Sequence, residues 1–333
     1  MNDQLLLILG SIVANATPLV IASIGETITE RAGVTNLSLD GSILLAAMAG
    51  FVGAYSVSDA GGGTEIALLA GALVALIVGA LVALIVAVGG IALRRDQVAI
   101  GFVLTLLCAD LAQFLGQDYT RIPGPTVSRW VLPVLGEIPI VGTIFFRHDV
   151  FVYASYILIF AVWWWLFRSR RGLAHRAIGE RPEAAFARGV DVNRLRYVYT
   201  VLGGALVGLA GAAYSLGIKP GWATPPAMRG DGWIALAIVI FGGWHPFRVV
   251  LGAYLFAALR AVSTAIQRTP TITISPVLLN LLPWLLMIAT LVAVSSGAIE
   301  RLTRLMPKPV QRWTRNFLRS DPPAALGTRF EPK

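Results

Sequence analysis

The chain has 333 residues, of which 56% are hydrophobic and only 14% are charged. Soluble domains carry roughly 45–50% apolar and about 25% charged residues, so this composition excludes a water-soluble protein built around one core. The net charge of +9 does not indicate a nucleic-acid-binding protein, because the arginines and lysines cluster between apolar segments and in the C-terminal tail, as in membrane proteins.

Apolar segments follow one another along the chain. The uncharged runs at 66–93 and 197–218 exceed the ~20 residues that cross ~30 Å of hydrocarbon. Residues 4–24 lack a basic start and a small-residue cleavage site, which favours a retained first span over a signal peptide. We predict an all-α, polytopic transmembrane helical bundle of about 8–10 spans in contact with membrane lipid. Its apolar segments are 4–25, 37–55, 66–93, 98–116, 150–167, 197–218, 233–243, 248–263 and 277–297.

The charges of the loops predict the orientation of the chain. Segment 168–196 contains eight arginines, and basic residues also cluster at 94–95 and after residue 300, whereas 117–149 is balanced in charge. The positive-inside rule places the basic regions in the cytoplasm, as expected for a multi-pass protein of the bacterial inner membrane. We divide the chain into a transmembrane domain, 1–300, and a basic cytoplasmic tail, 301–333, and we predict disorder for residues 320–333.

Two places interrupt the pattern of spans. Residues 26–40 are too polar for lipid, and segment 233–243 covers only about half of the hydrocarbon core. Such segments predict broken helices, which membrane proteins tolerate where protein or a water-filled cavity surrounds them. The glycine-rich run at 203–211 instead predicts close packing between helices.

The sequence contains no catalytic or metal-ligand constellation. The three histidines lie in different loops, and the single cysteine, Cys108, excludes a disulfide framework. No glycine-rich phosphate loop ending in Gly-Lys-Ser/Thr is present, so the chain is not expected to bind a nucleotide by itself. We therefore predict a protein that is not an enzyme and that needs no cofactor or metal.

The basic loop contains a compact unit at 172–191. Pro182 suits the first turn of a helix, Glu183 complements the helix N-terminus and Gly189 suits its C-terminal end. These residues predict a two-turn helix near 182–186. The spacing leaves open whether this helix is an ordinary surface helix or a docking element.

Residues 176–190 resemble the cytoplasmic signature of permeases of ABC-type importers in the branched-chain amino acid, ribose and nucleoside superfamily. That signature runs Arg-Ala-x-Gly-x-x-Pro-x-Ala-Ala-x-x-x-Gly-(Ile/Val), and every position is matched here. The resemblance implies that this loop is a cytoplasmic coupling helix that docks on a separate ATPase subunit, which hydrolyses the ATP. The coupling residues would be Arg176, Gly179, Pro182, Glu183, Ala184, Ala185 and Gly189.

Residues 25–37 and 230–246 are similar to two signatures of the nucleoside branch, with departures at Ser38, Asp40, Trp233 and His245. The resemblance implies the second permease subunit of a nucleoside importer. Its partners would be an ABC ATPase subunit, a different sister permease and an extracytoplasmic solute-binding protein. Simple sugars and branched-chain amino acids are the alternative solutes.

The polar residues of the first signature are candidates for the solute pathway. Ionisable groups near the membrane core usually face a bundle interior or an aqueous cavity. Glu26, Asn36 and Asp40, with Trp233 of the later signature, are the predicted pathway residues, although the acidic and amide groups could instead pair among themselves. Glu30 and Arg31 are expected to have a structural role.

Two other classes of protein remain as alternatives. An ion-coupled secondary transporter would need carboxylates within its spans, and only Asp110 lies well inside one; we expect this residue to form a hydrogen bond between helices. An intramembrane enzyme, such as a lipid-modifying transferase, would need His, Asp or Glu clustered at a membrane face, which the sequence does not show.

Overall fold

The computed structural model describes residues 3–224, 226–267 and 321–331, together with positions 275, 281, 284, 285, 288, 289 and 292. Most of the predicted segment 277–297 and the tail residues 301–320 lie outside the described residues. The helices are α1 (Asp3–Arg31), α2 (Leu39–Asp59), α3 (Thr64–Ala87), α4 (Gln97–Gly116), α5 (Val141–Phe145), α6 (Val150–Arg168), α7 (Arg170–Glu180), α8 (Pro182–Ala187), α9 (Val192–Ala212), α10 (Asp231–Phe241) and α11 (Pro246–Gln267). Two-residue strands, β1 (Trp130–Val131) and β2 (Arg147–His148), pair antiparallel.

The prediction of a polytopic, nearly all-α bundle is confirmed. Seven of the described helices are long and apolar enough to cross a membrane, namely α1, α2, α3, α4, α6, α9 and α11. Large apolar side chains on their outer faces remain exposed, for example Leu69 at 62% and Ile77 at 53% on α3. A surface of this kind is stable in contact with lipid, so the chain is a multi-pass membrane protein.

The bundle has two chemically different ends. The end of α1, the turn at 92–97, α7, α8 and segment 321–331 lie together and form what we call the basic end; one contact is an ion pair of 2.8 Å between Arg94 and Glu331. The N-terminal part of α1, the 117–149 loop and residues 219–222 lie at the opposite end, which we call the loop end. There the N–H of Arg121 donates to the carbonyl of Trp222 at 3.0 Å. The basic regions 94–95 and 168–196 thus lie at one end and the balanced segment 117–149 at the other, in agreement with the orientation predicted from the loop charges.

The helix α9 packs unusually closely against its neighbours, as the glycine run predicted. A Cβ at Gly203 would overlap Thr29 of α1, and one at Gly204 would overlap Ala83 of α3. A Cβ at Gly208 would overlap the carbonyl of Ala75. Small residues at these positions allow the helix backbones to approach, which is the main source of packing energy between helices in a bilayer.

Three expectations need correction. The polar residues 26–31 do not break the first helix but continue it to Arg31, and their side chains are covered by protein rather than lipid. Asp110 is exposed on the outer face of α4 and has no hydrogen bond to another helix among the described residues. Segment 321–331 is not disordered, because Ala325 and Phe330 are buried against the basic end of the bundle.

Candidate functional site

The short helix α10 begins inside the bundle. Its eleven residues cover about half of the membrane core, and the chain reaches its first residue from Trp222 at the loop end. The side chain of Ser23 on α1 donates to the Ala235 carbonyl at 3.3 Å, so α10 lies against α1. This arrangement confirms the broken helix predicted for segment 233–243.

The N-terminus of α10 points at the beginning of α2. The backbone N–H groups of Gly230 and Gly232 donate to one carboxylate oxygen of Asp40, at 2.8 and 3.0 Å. Any Cβ at Gly232 would overlap the Asp40 backbone, so this close approach requires glycine. Because a helix N-terminus carries partial positive charge, the Asp40 carboxylate neutralises an end that would otherwise attract an anion.

An ion pair with one fully buried partner adjoins this contact. Asp231, the first residue of α10, is fully buried and accepts hydrogen bonds from both terminal nitrogens of Arg260 on α11 and from the hydroxyl of Tyr214. The sequence analysis did not single out this group. The available signal was Arg260 inside one apolar segment and Asp231 two residues before another, because an ionisable residue at such a place in a membrane protein marks a functional or pairing site.

Glu26 occupies an unusual position on α1. Its side chain is fully buried, and neither carboxylate oxygen has a hydrogen-bond partner in the part of the chain that the structure describes. One turn later, Glu30 accepts a hydrogen bond from the indole N–H of Trp244, and Arg31 donates to the Trp244 carbonyl at 2.7 Å. Glu30 and Arg31 therefore hold the turn that follows α10. The Glu26 carboxylate instead has the backbone N–H of Asn36 near it and keeps acceptor capacity beyond that contact.

The two other predicted pathway residues have different surroundings. The side-chain oxygen of Asn36 accepts hydrogen bonds from the backbone N–H and the hydroxyl of Ser38, at 3.1 and 2.6 Å, and so shapes the turn before α2. Trp233 is half-buried, and its ring centroid lies 6.3 Å from that of Phe102 on α4. The structure thus brings Asp40 to the start of α10 but does not gather the four predicted residues into one cluster.

The buried ionisable side chains around α10 are mostly acidic. The carboxyl groups of Glu26, Asp40 and Asp231 lie buried on three different helices, and among the described residues Arg260 is the cation that pairs with one of them. No group of three His, Cys, Asp or Glu side chains within the described residues could hold a metal ion. Such an interior offers acceptors to hydroxyl or amino donors and repels anions.

The predicted coupling unit consists of α7 and α8 at the basic end. Gly179 of α7 lies directly on the end of α1, where a Cβ would overlap the Arg31 carbonyl. Arg176 packs its guanidinium carbon 5.1 Å from the Phe167 ring centroid of α6. Gly179 and Arg176 therefore pack α7 against α1 and α6, and neither residue belongs to the exposed face of the coupling unit.

The predicted two-turn helix is α8. Pro182 occupies its first position and is buried together with Ala185, whereas Glu183 and Ala184 are exposed. Gly189 follows the helix at φ +84, where its N–H donates to the Phe186 carbonyl at 2.8 Å. The helix thus presents a small face with one acid to the outside of the bundle.

His175 fixes α7 to α1, a role that the sequence analysis missed. Its Nε2 donates to the Ile28 carbonyl at 2.8 Å, and its fully buried ring meets Tyr199 edge-on with centroids 4.3 Å apart. Burial, helped by the positive charges of Arg31 and Arg176, lowers the pKa of His175 to about 4. The folded protein therefore holds this histidine neutral.

Acid should release this contact. Because the pKa of His175 is about 4 when folded and 6.5 when unfolded, its contribution is complete above pH 6.5 and declines as the pH falls toward 4. We expect the free energy of unfolding to lose about 2 kcal/mol between pH 8 and pH 5 through this group. Denaturant unfolding of the purified protein measures the loss, and His175→Gln, which keeps a donor but does not titrate, should show a correspondingly smaller loss. Equal pH dependence in both proteins would contradict the assignment.

The described residues form seven helices long and apolar enough to cross a membrane, with a short internal helix that has buried charges at its start, an arrangement typical of transport proteins. A family model described as "Branched-chain amino acid transport system / permease component" matches residues 8–291. The chain belongs to this permease family, whose members are transport components, and it is the permease subunit of an ABC importer.

Curated relatives cover most of the chain. The putative glucose ABC transporter permease protein TsgC13 of Haloferax volcanii is 35% identical over 78% of this chain and 78% of its own. The nucleoside ABC transporter permease protein NupC of Lactococcus lactis is 30% identical (81% and 86%), and the guanosine ABC transporter permease protein NupQ of Bacillus subtilis is 33% identical (72% and 76%). A solved structure described as an inward-facing conformation of a putative metal-chelate type ABC transporter has a TM-score of 0.48 at 17% identity, over 87% of this chain and 85% of that one.

Proposed function

We propose that this chain forms the translocation pathway of an ATP-driven importer for nucleosides. Two relatives that carry nucleoside or guanosine in their names, 30% and 33% identical, support the solute class. The 35% identical glucose relative supports a simple sugar as the second candidate. Nucleosides and simple sugars are both neutral, and both contain a sugar ring that carries several hydroxyl groups.

The observation that carries the proposal is the Asp40 contact at the start of α10. In transporters with broken helices, the N-terminus of a half-helix commonly receives an anionic group of the solute. Here the protein's own carboxylate takes that place, and the buried carboxylate of Glu26 adds a further acidic group on α1. This arrangement favours a neutral, hydroxylated solute over an amino acid, whose carboxylate would meet negative charge.

The rest of the proposal concerns orientation and partners. The arginine-rich basic end lies in the cytoplasm, by the positive-inside rule, and the loop end faces the outside of a bacterial inner membrane. The exposed face of α8 docks on the ATPase subunit. A sister permease completes the membrane part as a heterodimer, and an extracytoplasmic solute-binding protein delivers the solute at the loop end.

Uptake by the assembled complex in proteoliposomes tests the function. We expect ATP-dependent uptake of guanosine, with no uptake of leucine or of guanosine monophosphate. Uptake of glucose in place of guanosine would establish the second candidate, whereas uptake of leucine would contradict the charge argument. Uptake driven by an ion gradient without the ATPase would overturn the proposal in favour of a secondary transporter.

Removing the Asp40 carboxylate should destabilise the start of α10. Asp40→Ala leaves two buried N–H groups without an acceptor, so we expect the free energy of unfolding to fall by about 2 kcal/mol. Asp40→Asn keeps one acceptor oxygen and should lose roughly 1 kcal/mol or less. Thermal unfolding in detergent measures both, and Asp59→Ala, exposed at the other end of α2, is the matched control. Equal stability of Asp40→Ala and the control would refute the capping role.

A further inference from the structure

The C-terminal segment 321–331 lies across the coupling unit as a strap. Its backbone donates two hydrogen bonds, from Ala325 to the Gly179 carbonyl of α7 at 2.8 Å and from Gly327 to the Gly33 carbonyl after α1 at 3.0 Å. The strap therefore joins the last residues of α7 to the last residues of α1, two segments that are far apart in sequence.

Aromatic and charged side chains extend the same contact. The buried ring of Phe330 lies 5.6 Å from the ring of Phe186 on α8, centroid to centroid. The N–H of Ala324 donates to the Glu180 carboxylate at 3.3 Å. These contacts cover one side of the coupling helix, while the face with Glu183 and Ala184 stays open.

Arg196 on α9 connects the end of α1, the end of α7 and the strap. Its guanidinium is almost completely buried and donates to three carbonyls, those of Ala32 at 3.1 Å, Thr328 at 2.9 Å and Ile178 at 3.5 Å. Two of these carbonyls belong to the C-terminal ends of α1 and α7, where the helix dipole is negative. The two helix ends therefore stabilise the buried cation, and a planar fork of five N–H donors suits three acceptors in a way that lysine does not.

The arrangement has a mechanical consequence. A helix of six residues such as α8 is not stable alone and takes its position from its contacts. Through Arg196 and the strap, α8 and α7 are fixed to the end of α1, and Arg31 and Glu30 at that end hold Trp244, which follows α10. These contacts connect α8, through α7 and the end of α1, to the turn that follows α10.

We infer that Arg196 and residues 321–331 are positioning elements of the coupling unit, which lock α7 and α8 onto the end of α1 so that the stroke of the ATPase moves α1 and α10. This inference rests on the proposed docking of α8 on the ATPase. It assigns to the strap a role in transport, beyond holding the fold together.

The first experiment measures uptake and ATP hydrolysis by the assembled complex in proteoliposomes. We expect Arg196→Met, and a chain ending at residue 320, to hydrolyse ATP while solute uptake per ATP falls roughly tenfold, within the usual range of coupling between sites. Arg196→Lys should be intermediate. Arg194→Met, exposed on the same helix, is the control and should match the wild type. Unchanged uptake per ATP in both Arg196→Met and the shortened chain would overturn the inference.

A second experiment keeps the full chain and does not depend on the folding of those variants. Phe186→Cys and Phe330→Cys, combined with Cys108→Ser, allow a short bis-maleimide to alkylate both thiols and so join the strap to α8. A strap that moves with α8 predicts full uptake after cross-linking, and loss of uptake would show that the two must separate, contrary to the inference. Normal uptake by the double variant Glu183→Arg and Ala184→Arg would instead refute the docking of α8 itself. Failure of the strap inference and failure of the proposed docking are therefore distinguishable.

Discussion

The double substitution Glu183→Arg and Ala184→Arg should abolish nearly all ATP-driven uptake while leaving the protein in the membrane. Both side chains are exposed on α8, so the substitutions change the docking face and leave the buried contacts of Pro182 and Ala185 in place. They remove the carboxylate of Glu183 and add two large, positively charged side chains close in sequence to Arg181 and Arg188. Like charges and steric overlap at an interface cost several kcal/mol, so we expect a loss of about hundredfold.

The controls separate docking from folding. Ala185 is left unchanged because it is buried, and a large residue there would disturb the packing of α8. Ala60→Arg introduces the same charge at an exposed position of the loop end and should transport normally. Immunodetection of membrane fractions establishes equal amounts of each variant. Normal uptake by the double variant would contradict the coupling role of α8.

The second large effect concerns the ion pair at the start of α10. Asp231→Asn should lower the free energy of unfolding by about 3 kcal/mol, because it leaves the Arg260 guanidinium without its carboxylate inside the bundle. We choose the lower end of the range for a broken buried pair because the Arg260 side chain is 37% exposed. Thermal unfolding of the purified protein in detergent measures the loss.

A double variant tests whether the charge itself is the cause. Combining Asp231→Asn with Arg260→Leu removes the unpaired cation, so a large part of the lost stability should return. Asp118→Asn, which alters an exposed aspartate at the loop end, should be neutral. If the double variant is less stable than Asp231→Asn alone, the pairing does not explain the effect.

The elements that the sequence predicted well are those set by local patterns. The segment predicted at 98–116 is helix Gln97–Gly116, and 150–167 is Val150–Arg168, because an uninterrupted apolar run has few other ways to satisfy its backbone in a membrane. Pro182 and Gly189 likewise marked the two ends of α8, since each constrains the backbone at its own position.

The features that the sequence did not predict depend on distant partners. Arg196 was counted among the arginines that set topology, a rule that uses the number of charges and not their neighbours; its role requires a strap 132 residues further along the chain. Asn36 was considered for the pathway, but its side chain serves its own turn, a local alternative that short polar residues commonly adopt. Arg260 stood inside one apolar segment and Asp231 just before another, and only the fold brings them together.

The most direct measurement of the central claim places one cysteine at Ala184 in a protein whose Cys108 is replaced by serine. In the assembled complex, a bifunctional thiol reagent should join this position to a cysteine on the ATPase subunit, and a membrane-impermeant maleimide should label it in inside-out vesicles and not in intact cells. Labelling from the outside of intact cells, or an ATPase that never cross-links to this position, would contradict the account.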